Sequence, residues 1–189
     1  MSKIVSRYSF LLILIGILFA SCELHAQAGN PYIRIINTFE KWKLDQFRKG
    51  NYATEKNCNR DTVLKDGYKG SEMGIPSDIN ISFTDINNDN VIDGLILFYP
   101  DQCDGGNALM NAQIRVLVLS TKSGYIIDDT LIDKVEGRLK KGWLNIERAE
   151  YGTFCGNYFE YKESDGRCCP SIKRPIIIDF KTKKLTFEE

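Results

Sequence analysis

Histidine is almost missing from this chain: His25 is the only one, and it falls within the first 26 residues. A Ser-His-Asp triad, a Cys-His pair and a histidine-ligated zinc site each need an imidazole held in the fold, so none of them has a basis here. Charge of neither sign is in excess, with 25 lysines and arginines against 25 aspartates and glutamates. A neutral chain without a basic stripe is a poor match for a nucleic-acid backbone, and no nucleic-acid partner is expected. No apolar run reaches the ~20 residues of a membrane-spanning helix. No Cys-x-x-Cys pair points to a thiolate zinc site, and Gly105-Gly106-Asn107 lacks the Gly-Lys-Ser/Thr of a phosphate loop. Internal repeats, low-complexity tracts and domain-splitting linkers are also missing.

What is present begins with an address. Lys3 and Arg7 give a positive start, and Ser9 to Ala20 carry an apolar run of about a dozen residues, the length of a signal-peptide core. Two processing routes stay open. Cleavage after Ala26 makes residues 1–26 the signal peptide. Alternatively, Phe19-Ala20-Ser21-Cys22 is a lipobox, residues 1–21 are removed, and Cys22 carries a lipid that is the one expected membrane contact. Either route predicts an exported protein: periplasmic, at the cell surface or secreted. Cutting after Ala26 removes Lys3, Arg7 and Glu23, which leaves 23 basic and 24 acidic side chains and a net charge of −1. Residues 27–189 then form a single mature β-rich domain, long enough to bury a core.

Five cysteines lie beyond the signal region: Cys58, Cys103, Cys155, Cys168 and Cys169. Export predicts disulfides. Adjacent cysteines rarely bond each other, because the intervening peptide strains the bridge. We expect Cys58 to bond Cys103, and Cys155 to bond one of the adjacent pair.

Pro31 to Lys49 reads as one helix, capped by Asn30 and ended by Gly50-Asn51, with Ile33, Ile36, Phe39, Trp42 or Lys43, and Phe47 as its apolar stripe. Residues 51–77 are polar and read as a long loop pinned by Cys58. From there the pattern is β. Ile79, Ile81 and Phe83 alternate with polar residues. Val91 to Tyr99 and Ala112 to Ser120 are near-continuous apolar runs, and Gly124 to Ile132, Leu139 to Ile146 and Tyr158 to Lys162 follow. Ile176 to Phe180 and Lys184 to Phe187 form a hairpin about Lys181-Thr182-Lys183. Strands linked by short turns, with no helices between them, predict an α+β fold: mainly an antiparallel β meander with one N-terminal helix.

The most informative stretch is Asp85-Ile86-Asn87-Asn88-Asp89-Asn90-Val91-Ile92-Asp93. Asp85, Asn87, Asp89 and Asp93 stand at positions 1, 3, 5 and 9, and Val91 at position 7 offers a carbonyl. Oxygens at this spacing wrap a hard cation such as Ca²⁺, which takes six to eight of them at roughly 2.3–2.6 Å. Three carboxylates in one short loop repel one another, and a cation removes that cost. Position 12 is Ile96 rather than Glu, which excludes an ordinary EF-hand. A solvated turn is the simpler reading of Asp and Asn, yet four at alternating spacing exceed what a turn needs.

Asp-x-Asn-x-Asp-x-x-x-Asp running into a strand resembles the calcium loops of FG-GAP-type β domains, where the ion sits between two antiparallel strands. That resemblance implies Ca²⁺ as cofactor, with Asp85, Asn87, Asp89, Asp93 and the Val91 carbonyl as ligands. Together with Asp101-Gln102-Cys103-Asp104-Gly105-Gly106-Asn107 and Asp165-Gly166-Arg167-Cys168-Cys169-Pro170-Ser171, the loop is also similar to small exported bacterial proteins and lipoproteins of undefined function. The likeness covers most of residues 78–189 and implies an export-adapted β domain without naming an activity.

No catalytic residue stands out. Asp128 with Asp129, and Glu147 with Glu150, are carboxylate pairs, but sequence neighbours do not make two groups facing each other across a cleft. The expectation is a non-enzymatic, calcium-stabilised, disulfide-containing binding module at the cell envelope, with an unknown protein or envelope component as partner. The alternatives are a periplasmic inhibitor or immunity protein of a wall-degrading enzyme, and a metal- or carboxylate-dependent hydrolase.

Overall fold

A computed structural model describes residues 29–105, 113–166 and 169–188 of the chain. Both processing sites with Cys22, and also Gly106, Asn107 and Cys168, lie outside the described residues. The described part is α+β and mostly antiparallel sheet, as the sequence predicts.

Helix α1 spans Pro31–Lys49. Asn30 caps it by accepting the Tyr32 N–H at 3.0 Å, and Gly50 ends it at φ 74°, a left-handed conformation that glycine adopts without strain. The buried face is Ile35, Phe39, Trp42 and Gln46, a tighter i, i+4, i+7, i+11 set than the stripe expected from the sequence. Ile33 is 57% exposed and Ile36 41%. Those two flank the seam, because the sheet beneath the helix touches only one narrow line of side chains.

Two four-stranded antiparallel sheets follow. The first has β2 (Asn80–Thr84), β3 (Asp93–Phe98), β5 (Ile114–Thr121) and β6 (Gly124–Asp128) in the order β2-β3-β5-β6. The second has β7 (Trp143–Glu150), β8 (Thr153–Glu160), β9 (Ile172–Asp179) and β10 (Leu185–Phe187) in the order β10-β9-β8-β7. The first sheet is the middle layer. Its one face, with Ile96, Phe98, Val116 and Val118, takes Ile35, Phe39 and Trp42 of α1. Its other face, with Leu95, Leu97, Leu117 and Leu119, packs on Leu144, Ile146, Phe154, Tyr158, Ile176 and Ile178 of the second sheet. Burial on both faces is why β3 and β5 read as unbroken apolar runs rather than alternating ones. Helix and β3 approach so closely that a Cβ on Gly94 would lie 2.5 Å from Ile35 Cγ2.

Several elements depart from the sequence reading. Strand β7 begins at Trp143, four residues after the expected Leu139, and β9 begins at Ile172, four before the expected Ile176. Two others differ more. Leu131–Glu136 is a short helix, α3, where the strand was expected to run on to Ile132. Asp128 ends β6 by accepting the N–H groups of Thr130 and Leu131, both at 3.0 Å, so Leu131 and Ile132 enter the core from a helical turn. The meander therefore has a helix between its two sheets. Strand β8 begins at Thr153, five residues before the expected Tyr158. Its first half carries Cys155, Gly156 and Asn157, which are poor strand signals. Gly156 is required there, since a Cβ would meet the Asn145 carbonyl at 2.1 Å beside the β7 bulge between Ile146 and Arg148.

The long loop is pinned as expected. Cys58 and Cys103 form a disulfide. Around it, α2 (Arg60–Val63) and the two-residue strands β1 (Met73–Gly74) and β4 (Asp101–Gln102) make a small annex with its own buried cluster of Ala53, Val63 and Cys103. Cys155, in contrast, is a free thiol, which corrects the expected bond to the adjacent pair. It lies mid-strand opposite Ile177, five residues before Glu160, which pairs with Ile172 at the end where Cys169 enters. Across the two ladders it faces Ile177 and Arg148, so no thiol stands opposite it there. No helix among the described residues is long and apolar enough to cross a membrane.

Candidate functional site

The acidic loop is the connection between β2 and β3, and each expected residue has a definite place in it. Asp93 opens β3 and is fully buried. Its Oδ2 accepts the N–H groups of Ile86 at 2.8 Å and Asn87 at 3.0 Å, and its Oδ1 accepts Ser120 N–H at 2.6 Å. One carboxylate thus ties both ends of the loop to β5. Asp85, only 8% exposed, accepts Asp89 N–H at 3.1 Å on Oδ1 and Asn90 N–H at 2.8 Å on Oδ2. Asp89 is on the surface; its Oδ1 accepts Val91 N–H at 2.9 Å, and its Oδ2 accepts the Ser120 hydroxyl at 2.7 Å.

Asn87 is the hinge of this set. Its side-chain oxygen accepts Asp89 N–H at 3.0 Å, while its amide donates to the Ser120 carbonyl at 3.0 Å and to Asp89 Oδ2 at 3.2 Å. Asn88 and Asn90 hold φ of 61° and 66°. Asparagine tolerates that left-handed region, so Asn90 takes the sharp turn that glycine usually makes in a calcium loop. Val91 points its side chain outward, 44% exposed.

Three contacts outside the motif fix the loop in the fold. Ile86 is fully buried in the core between the sheets and acts as the loop's apolar anchor. The Asp85 carbonyl accepts Gly152 N–H from the β7–β8 turn at 3.2 Å, and Phe180 N–H in turn bonds the Gly152 carbonyl at 2.9 Å. The Tyr125 hydroxyl on β6 donates to the Ile92 carbonyl at 2.9 Å. The loop is therefore the point where one end of both sheets is joined.

The donor set suits a hard cation in kind: carboxylates, one amide oxygen and one carbonyl, with neither nitrogen nor sulfur. It is not a ready cage. Among the described residues no three His, Cys, Asp or Glu side chains gather as a metal-holding group. All four side chains, of Asp85, Asn87, Asp89 and Asp93, already accept N–H groups within the loop, Asp93 from the most deeply buried position, where it acts as a clamp. No lysine or arginine among the described residues forms an ion pair with Asp85, Asp89 or Asp93.

The other carboxylate pairs have structural work. Asp128 starts α3, and Asp129 accepts the Trp42 indole N–H at 3.0 Å. Glu150 pairs with Arg148 at 2.7 Å, and Glu147 accepts the Asn157 amide at 2.6 Å.

Sequence reading missed the groups that close the open edge of β7. Gln113 Nε2 donates to the Ile146 carbonyl at 2.8 Å and its Oε1 accepts Ile146 N–H at 2.8 Å, in the manner of a neighbouring strand. Arg115 Nη1 donates to the Leu144 carbonyl at 3.1 Å, and Glu136 accepts Leu144 N–H at 2.8 Å. Arg115 is itself held by Glu136 at 2.7 Å and Asp133 at 2.9 Å. A charged residue inside an apolar run was the only trace of this in the sequence. Beside that edge, β2, β3 and β7 part to leave a cleft of about 680 Å³, lined in part by Asp78, Tyr99, Asn145 and Glu147.

Comparison of the chain with protein-family models, with curated proteins and with solved structures finds no match.

Proposed function

We propose that the chain is an exported binding module whose acidic loop takes a calcium ion as a structural brace. The observation that carries this reading is the concentration of Asp85, Asp89 and Asp93 in one loop with no pairing lysine or arginine among the described residues, at the point that joins the two sheets. Carboxylates sharing one short loop favour a hard cation, and Asp85, Asn87, Asp89 and the Val91 carbonyl would hold it, with Asp93 clamping the loop beneath. Its role there is to neutralise and stiffen the connection between the sheets. The Cys58–Cys103 disulfide supports the exported setting, because such bonds persist in oxidising compartments. The FG-GAP likeness supports the ligand set through its spacing alone.

Titration calorimetry tests the metal. Wild-type protein should bind one calcium ion with an affinity in the range of extracellular modules, roughly 10⁻⁴–10⁻³ M. Asp89→Ala, at an exposed ligand, should abolish the heat while leaving the circular dichroism spectrum unchanged. Equal heats from both proteins would remove the loop from consideration. As a binding module, the protein should release no new reducing ends from cell-wall glycan with or without calcium, whereas the hydrolase alternative requires them.

A further inference from the structure

We infer that the cleft between the β2 and β7 edges is a receptor for an aliphatic ammonium group carried on a short apolar stem. The cleft, at about 680 Å³, is of the size that holds small ligands or a protruding side chain. Its wall and floor contribute Ile79, Leu97 and Ile146, which suit a hydrocarbon stem. Apart from the exposed Asn80 amide, its polar groups are one-sided. The Gln113 amide is used up on β7 and on Asn145 Oδ1 at 2.8 Å, so the floor is fixed and has no spare donor there. Asn145 is further engaged with the Tyr99 hydroxyl.

What remains is mainly acceptor. Asp78 is exposed and makes no hydrogen bond or ion pair among the described residues, and Glu147 commits only Oε1, to Asn157. The described lining contains no lysine or arginine, and the nearby Arg115 is neutralised behind the wall by Asp133 and Glu136. Tyr99, 39% exposed, adds an aromatic side chain to the lining. Two carboxylates, an aromatic face and apolar walls are the chemistry that accepts a cation and rejects an anion. Because both carboxylates are exposed, the attraction is screened and the affinity modest. Such a guest gives the proposed binding module its ligand class and rests on that reading, though not on the calcium loop.

The test is a titration followed by NMR shifts and calorimetry, at low salt and with 1 mM calcium throughout. The probes are 1,5-diaminopentane, N-acetyl-lysine amide and the neutral 1,5-pentanediol. Both ammonium probes should bind and the diol should not, with binding about two- to fivefold weaker in Glu147→Gln and in Asp78→Asn, and weaker again in 0.5 M sodium chloride. Tighter binding of the lysine derivative assigns the guest to a partner's side chain, and tighter binding of the diamine to a free amine. Absence of binding by either ammonium probe, or unchanged binding in both variants, overturns the inference. Glu147→Gln should keep the calcium response of the wild type, so failure of the cleft and failure of the loop are read separately.

Discussion

At the scale of single residues, Asp93 carries more of the fold than any other polar side chain of the loop. Its carboxylate accepts three backbone N–H groups in a fully buried setting. Replacing it with Asn puts a donor where only acceptors fit, and each buried group left unpaired costs roughly 1–3 kcal/mol. Asp93→Asn should therefore lower stability by about 2–4 kcal/mol in urea melts, with or without calcium. A loss below about 0.5 kcal/mol would mean that the clamp is dispensable. Gly94 is the second such position: Gly94→Ala should cost about 1–3 kcal/mol through overpacking on Ile35, and the double variant with Ile35→Ala should lose less than the sum of the two single variants. Strict additivity in the double mutant would contradict the close approach.

Tyr158 gives a residue-scale pH prediction. Burial, with Glu160 as hydrogen-bond partner, pushes its hydroxyl up to about 12 from an ordinary 10. The folded state then holds the proton more tightly than the unfolded state. Its contribution is fully present below pH 10 and is lost as pH rises towards about 12. Alkaline unfolding followed by circular dichroism should show stability falling across that window, and Tyr158→Phe should flatten part of the fall. Tyr52, Tyr99 and Tyr125 are also shifted upward by burial and add to the slope. An identical slope in the variant would show that Tyr158 does not hold its proton.

At the scale of elements, legibility followed the pattern of burial. Helix α1 was bounded correctly because Asn30, Pro31 and Gly50 each carry a local signal. Its buried face was misplaced by one residue because Ile33 and Ile36 are apolar without being covered. Strands β3 and β5 were legible because both of their faces are buried. The first half of β8 was not, since Gly156 and Asn157 are there to fit a bulge that belongs to another strand. The acidic loop was read from its own spacing, but Ser120 was not, because it meets the loop from β5, 27 residues beyond Asp93. The disulfide annex is the element with the clearest stability test. A closed loop of 45 residues predicts a contribution of about 4 kcal/mol on the chain-entropy model. The Cys58→Ala, Cys103→Ala double variant should thus lose about 2–4 kcal/mol in denaturant titrations, and no loss would show that the annex is held by packing alone.

At the scale of the whole molecule, the layers explain why one loop matters. The middle sheet is covered by α1 on one face and by the second sheet on the other, so most of the core depends on the two sheets staying in register. The acidic loop reaches β5 through Ser120, β6 through Tyr125 and the β7–β8 turn through Gly152. A cation bound there stabilises the folded state by mass action, since the unfolded chain does not gather these oxygens. At 1 mM free calcium and a dissociation constant near 10⁻⁴ M the gain is about 1.4 kcal/mol, which for a domain of this size raises Tm by about 3–6 °C. Differential scanning calorimetry of the wild-type protein in 1 mM calcium and then in excess chelator reads that difference directly. Calcium should raise Tm reversibly by about 1–6 °C, the span set by dissociation constants from 10⁻³ to 10⁻⁴ M, and the rise should be lost in Asp85→Ala; the same Tm in calcium and in chelator would contradict the brace.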